Sequence, residues 1–254
     1  MAGNTAVPGT SVTQRIVAIL GAFDERHRRL PLTRIAERSA LALPTAHRLV
    51  AELVAGGVLE RAADGSYVIG PRIWDLGNLA AVHTDIRAMA TPFLQDIHTA
   101  TMATVHLAVR DDTRVLYVER ISGRVSIPIV STVGSRLPMH ATGVGKVLLA
   151  HAPAEVIEQV LARPLARMTP RTIVRPDILR GQLEAVRADG YAVTTEEMSP
   201  GACSLAVPVR KGVDADAPVA AALGVVVPNL RRDKARLLAS LRTAAAGIGR
   251  SLYR

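Results

Sequence analysis

The side chains with the clearest chemical potential sit in residues 44–55. Thr45 and Arg48 stand one helical turn apart there, opposite the apolar stripe of Ala46, Leu49, Val50, Leu53 and Val54. An arginine can grip guanine O6 and N7 with two hydrogen bonds, worth about 1–3 kcal/mol of discrimination, and a threonine can meet a phosphate or a thymine methyl. His47, on the flank of the same segment, can reach backbone phosphate. Gln14 and Arg15 lie in the first turn of an earlier helix, where free N–H groups and a guanidinium can hold a phosphate. Thr33 opens the helix before the Thr45–Arg48 segment, and Arg61 follows it on a short strand. This is a set of contacts for a duplex, not for a reaction. Glu52 shares the exposed face and would repel phosphate.

Positioning these residues requires a compact frame, and residues 32–70 supply one. Ile35 and Ala36 mark the inner face of a short helix, and a turn at 40–43 leads to Pro44, whose missing N–H suits a first helical position. Gly56-Gly57 stops the second helix. Residues 58–61 and 66–69 read as strands around Asp64-Gly65, a strong hairpin signal. Helix, turn, helix and hairpin in this order describe a winged helix-turn-helix, whose second helix fits the major groove. Ser11 can cap a preceding helix carrying Val12, Ile16, Ile19, Leu20 and Phe23. By contrast Ala42 and Leu43 provide no side-chain cap before Pro44. Residues 24–31 read as a charged break and residues 1–9 as a disordered tail.

Composition limits the alternatives. With 254 residues, 49% hydrophobic and 21% charged, the chain can form two domains with real cores. A net charge of +9 favours anionic partners through salt-dependent association, although arginine-rich composition inflates it. Only 3% of residues are aromatic, too few for a base-stacking platform on single strands. The lone Cys203 excludes an internal disulfide and fits a reducing, cytoplasmic setting. The first residues do not read as a secretory signal, and the longest apolar run, 217–227, is about half the length of a membrane span. No membrane partner is expected.

Residues 71–84 carry Ile73, Leu76, Leu79, Ala80 and His83 at helical spacing and read as a linker helix; Trp74 there suits either a dimer contact or the core. Residues 85–254 read as a second, α+β domain whose sheet is covered on one side. Helices are expected at 89–100, 144–150, 154–162, 176–188 and 233–250, and strands at 104–109, 114–121, 125–130, 191–195, 204–209 and 219–227.

Gly143-Val144-Gly145-Lys146 invites comparison with a phosphate loop. His140 and Val147 occupy the positions where that loop needs Gly and Ser or Thr, so a plain helix N-terminus is the better reading. His98, His106, His140 and His151 show no ligand spacing with Cys203 or an acidic pair, and no metal is expected. Glu196 and Glu197, as strand neighbours, would point to opposite faces. No nucleophile elbow is visible. No catalytic residue and no cofactor is therefore expected.

The segments SVTQRIVAILGAF, LTRIAERSALALPTAHRLVAELVAGGVLER, YVIGPRIWDLG, LPMHATGVGKVLLA and LEAVRADGYAVTTEEMSPGACSLAVPV, in this order, resemble an IclR-type transcriptional regulator over nearly the whole chain. The resemblance implies a winged helix-turn-helix, a linker helix and a C-terminal GAF-like effector-binding domain, in homodimers or homotetramers on palindromic operators. It implies that Gly143, Val144, Thr194, Ser204, Gly224 and Val226 line the effector pocket. Relatives often have Asp at the position of Thr194, Cys at that of Ser204 and Ser at those of Gly224 and Val226. The pocket is correspondingly less polar, which points to an aromatic or larger organic acid rather than a small ketoacid. The expected function is sequence-specific binding of a DNA operator under effector control. The alternative is a metabolite-binding protein or enzyme whose helix-turn-helix serves protein contacts.

Overall fold

A computed structural model describes residues 11–24, 27–79, 84–123, 130–212, 214, 216–231 and 233–252. The chain divides into two compact units between residues 82 and 83. The tail expected at 1–9 lies outside the described residues, as do Ala80 and His83 of the linker stripe.

In the first unit, α1 spans Val12–Leu20 and begins with a capping box. The Ser11 hydroxyl accepts from the Gln14 N–H at 3.1 Å, and Gln14 Oε1 accepts from the Ser11 N–H at 2.8 Å. The supposed charged break contains β1, Arg29–Leu30. It is followed by α2 at Leu32–Arg38 and α3 at Leu43–Ala55. As the residue types dictate, α3 starts without a side-chain cap at Ala42, with Pro44 in its first turn. Strands β2, Leu59–Arg61, and β3, Tyr67–Ile69, form the wing, and β1 completes an antiparallel sheet of order β1-β3-β2. Ile19, Ile35, Leu49, Val50 and Leu59 fill the core beneath α3. The last helix of this unit, α4, spans Pro71–Leu79.

The second unit opens with α5, Thr84–Thr101, and the hairpin of β4, Thr104–Asp111, and β5, Arg114–Ile121. The tight Asp111-Asp112-Thr113 turn places Asp112 at φ 54°. A three-residue β6, Arg136–Pro138, not anticipated from the residue pattern, adds to β5. The strand expected at 125–130 lies outside the described residues except for Val130, which is not in a strand. Helices α6, Gly143–Ala150, α7, Ala154–Leu161, and α8, Pro176–Asp189, precede β7, Ala192–Thr195, β8, Cys203–Arg210, and β9, Val219–Val227. The closing helix is α9, Lys234–Ser251. Gly190 ends α8 in the left-handed region, where glycine carries no Cβ penalty.

The six strands are antiparallel in the order β6-β5-β4-β9-β8-β7. Contrary to expectation, both faces are covered. Val105, Leu107, Leu205, Val207, Leu223 and Val225 pack under α5 and α9. The alternate residues Ala108, Ala206 and Ala222 face α6, α7 and α8. This second face is made of small residues, so α6 approaches closely and all eight of its residues are buried. Small side chains on the sheet and a short buried helix above it leave a cavity between them.

Candidate functional site

On the first unit, α3 presents its outer face as the spacing predicted: His47 and Arg48 are exposed and Thr45 is half-buried. Arg48 is not a free donor. Its Nη1 donates to Glu52 Oε1 at 2.6 Å across one helical turn. Glu52 therefore holds the guanidinium beside its own carboxylate, a contact worth a few tenths of a kcal/mol that a guanine edge can displace. The Gln14 side chain is engaged in the α1 capping box, which narrows what it can offer a phosphate. Arg15 is half-buried in the same turn, and Thr33 is exposed in the first turn of α2.

Arg61 is exposed on β2 of the wing, opposite Tyr67 on β3. Arg29 donates to Asp64 at 3.3 Å across the wing. Ser66 donates to Asp64 from its hydroxyl and its backbone N–H, and these bonds hold the Asp64 carboxyl below its ordinary pKa. These bonds shape the Asp64-Gly65 turn, with Gly65 at φ 80°. Trp74 of α4 is 71% exposed, which overturns the reading that it lies in the core of its own chain, and Leu76 is 52% exposed.

In the second unit, the six residues Gly143, Val144, Thr194, Ser204, Gly224 and Val226 line one cavity. Four elements meet there. Thr142 caps α6, its hydroxyl accepting from the Gly145 N–H at 3.1 Å. The N–H groups of Gly143 and Val144 have no acceptor within the helix, as the geometry of a helix start requires. Thr194 on β7 and Ser204 on β8 are register partners, with hydroxyl oxygens 2.6 Å apart. Gly224 on β9 sits beneath Val144, where an added Cβ would lie 2.9 Å from Val144 Cγ1. A serine at 224 thus conflicts with a valine at 144, which accounts physically for the missing hydroxyl. A Cβ at Gly143 would likewise meet Ser204 Oγ at 2.5 Å, so that hydroxyl would have to turn away.

Residue spacing missed the other end of this cavity. His106 on β4 is buried, and its Nε2 lies 2.8 Å from Ser131 Oγ. Tyr117 packs edge-on against the His106 ring, with centroids 5.2 Å apart. Burial, reinforced by the nearby Arg120 charge, lowers the His106 pKa to about 3, so the ring is neutral at pH 7. Burial also raises the Tyr117 pKa above its ordinary value. Its trace in the sequence is a histidine inside a mostly apolar strand. His140 and His151 bond to backbone carbonyls of Ala166 and Val147, and His98 to that of Ala103. Among the described residues no group of three or more His, Cys, Asp or Glu converges as a metal site.

Glu196 and Glu197 lie beyond the end of β7, in a turn and not on a strand, but their carboxylates do not converge. Glu196 lies 3.8 Å from Arg171, whereas Glu197 is buried against Lys146 of α6. Lys146 Nζ donates to both Glu197 oxygens, at 2.6 and 2.7 Å, and to Gln182 Oε1 of α8 at 2.7 Å. The residues after Glu197, Met198 and Ser199, line the cavity. Lys146 thereby ties one cavity wall to the helix that begins the other. Cys203 is buried, its thiol within 3.6 Å of the Pro228 carbonyl, and burial raises its pKa.

Residues 12–63 match the family model of the IclR helix-turn-helix domain, and residues 78–250 match that of the bacterial transcriptional regulator IclR C-terminal domain. The chain is 31% identical over 233 residues to the HTH-type transcriptional regulator XynR of Escherichia coli K12, covering 91% of each chain. The crystal structure of an IclR homolog from Microbacterium hydrocarbonoxydans complexed with 4-hydroxybenzoate has a TM-score of 0.89 and 35% identity. That match covers 95% of this chain and 99% of the other. A putative transcriptional regulator from Rhodococcus sp. RHA1 matches with a TM-score of 0.83 and 30% identity over 95% and 98% of the two chains. With a helix-turn-helix in one unit and an apolar cavity in the other, the chain belongs to the IclR family of effector-responsive, DNA-binding transcriptional regulators.

Proposed function

We propose that the regulator reads its operator with Thr45 and Arg48 of α3, supported on the backbone by Gln14, Arg15, Thr33, His47 and Arg61. We further propose that it responds to an aromatic or larger organic acid bound among Gly143, Val144, Thr194, Ser204, Gly224 and Val226. The observation that carries this reading is the convergence of those six residues, drawn from α6, β7, β8 and β9, on a single cavity. Its walls are mostly apolar, with several hydroxyls and a helix N-terminus, a combination that suits a ring bearing an acid group. The 4-hydroxybenzoate complex of the Microbacterium homolog supports the same class of ligand.

The chain acts as a homodimer or homotetramer in the cytoplasm and is not an enzyme. Exposed Trp74 and Leu76 on α4 supply apolar surface for a second copy, and one recognition helix reads only half a palindromic site. Control follows from linkage. A ligand that favours one arrangement of the protomers shifts the spacing of the recognition helices only if it binds the two arrangements unequally. The test is a gel shift on the chain's own upstream DNA. A salt-sensitive, sequence-specific shift that Arg48→Ala weakens is the expected result. The absence of any such shift contradicts the reading.

A further inference from the structure

Arg120 stands on β5 directly opposite His106 on β4, so its side chain rises from the sheet on the same face, behind the His106–Ser131 end of the cavity. Its Nη1 donates to the Ser131 carbonyl at 2.8 Å, while the Ser131 hydroxyl meets His106. Its Nε is buried with no hydrogen-bond partner. The neighbouring Glu119 does not neutralise it: that carboxylate pairs with Arg87 and accepts from the Arg120 backbone N–H. Among the described residues no carboxylate bridges to the Arg120 guanidinium.

The other full charge near the cavity, Lys146, is neutralised by Glu197, and the N-terminus of α6 contributes only a partial charge. The uncompensated positive charge beside this end of the cavity is therefore Arg120, which is partly buried with its Nε shielded from solvent.

Building on the effector reading above, we propose that Arg120 is the charge-selecting residue of the cavity, favouring a ligand that places a carboxylate at the His106–Ser131 end. Arg120 does not line the cavity. It acts through its field and through Ser131, whose backbone it fixes. His106, held neutral, adds polarity there without a competing charge. The opposite end, at Thr194 and Ser204, then receives the neutral part of the ligand.

The experiment is calorimetric titration of the full chain with 4-hydroxybenzoate and with its neutral analogue 4-hydroxybenzamide, for wild type, Arg120→Met, Arg120→Gln and Arg120→Lys. The expected result is that the wild type prefers the acid. That preference falls at least tenfold in Arg120→Met and Arg120→Gln, through weaker acid binding with amide binding unchanged, and Arg120→Lys retains most of it. An acid-to-amide ratio unchanged in both neutral variants overturns the proposal and assigns the carboxylate to α6. Ala202→Trp, which fills the cavity from its wall, abolishes binding of both probes if the cavity is the effector site. Unimpaired binding in that variant, or no binding of either probe by the wild type, overturns the effector reading itself and the proposal with it. A merely structural role for Arg120 would weaken both probes equally.

Discussion

Lys146 and Glu197, 51 residues apart in sequence, form an ion pair whose side chains are 1% and 8% exposed, with the ammonium 2.6 and 2.7 Å from the two carboxylate oxygens. The pair joins α6 to the turn that carries Met198 and Ser199 along the cavity wall. The Thr172 hydroxyl holds the Glu197 carbonyl at 2.7 Å from the other side. Burying two charges is costly, so the pair is better understood as fixing the turn in place than as a source of net stability.

Breaking the pair on one side leaves an uncompensated buried charge. Lys146→Met is expected to destabilise the domain by about 3–5 kcal/mol, and Lys146→Met with Glu197→Leu to recover most of that loss. Urea unfolding of the two single variants and the double variant checks this. Additive losses would contradict it.

The fit between Gly143 and Ser204 gives a second, local test. Gly143→Ala drives a Cβ to 2.5 Å from Ser204 Oγ, at the start of α6, and is expected to weaken effector binding at least tenfold. Adding Ser204→Ala removes the clashing oxygen and should restore much of the affinity. Titration of both variants with the same ligand decides the matter.

His106 makes stability depend on pH. Its pKa is lowered in the folded protein from an ordinary 6.5 to about 3 by burial and by Arg120. Between those values the unfolded chain binds the additional proton, so stability is intact above pH 6.5. It falls by up to about 1.4 kcal/mol per unit as pH drops toward 3. His106→Asn should flatten this part of the profile, measured by denaturant unfolding from pH 7 to 4. An unchanged slope would rule out His106 as its source.

The Arg48–Glu52 pair separates DNA affinity from stability. It is exposed on both sides, 57% each, so Glu52→Gln should change stability by less than about 0.5 kcal/mol. Freed of its carboxylate neighbour, Arg48 should bind operator more tightly. Arg48→Ala should cost about 1–3 kcal/mol of operator affinity. Fluorescence anisotropy on operator DNA measures both. Weaker binding by Glu52→Gln would show that the pair orients Arg48 for reading.

Much of this was readable from local residue types. The Ser11 box, Pro44 and Asp64-Gly65 each act within a few residues, and the elements they govern lie where those residues direct. Strands β1 and β6 were not readable, because two or three residues cannot display an alternation. Coverage of both sheet faces was under-read. The unbroken apolar run of β9, Val219–Val227, is the pattern of a strand buried on both sides. At the cavity, the glycines of α6 and β9 were accessible through resemblance. The link from Lys146 to Glu197 and the stacking of Arg120, Ser131 and His106 arise from tertiary register, which no local spacing encodes. Their only trace was a charge or an imidazole inside an apolar run.

The central claim is that occupancy of the cavity controls DNA reading, and linkage makes it measurable in both directions. The most direct measurement is the anisotropy of labelled upstream DNA titrated with the full chain, with and without saturating 4-hydroxybenzoate. It is repeated with the cavity-filled Ala202→Trp protein. The account predicts that the acid shifts the operator Kd of the wild type at least fivefold and leaves that of the filled variant unchanged. Identical operator affinity with and without bound acid in the wild type would contradict it.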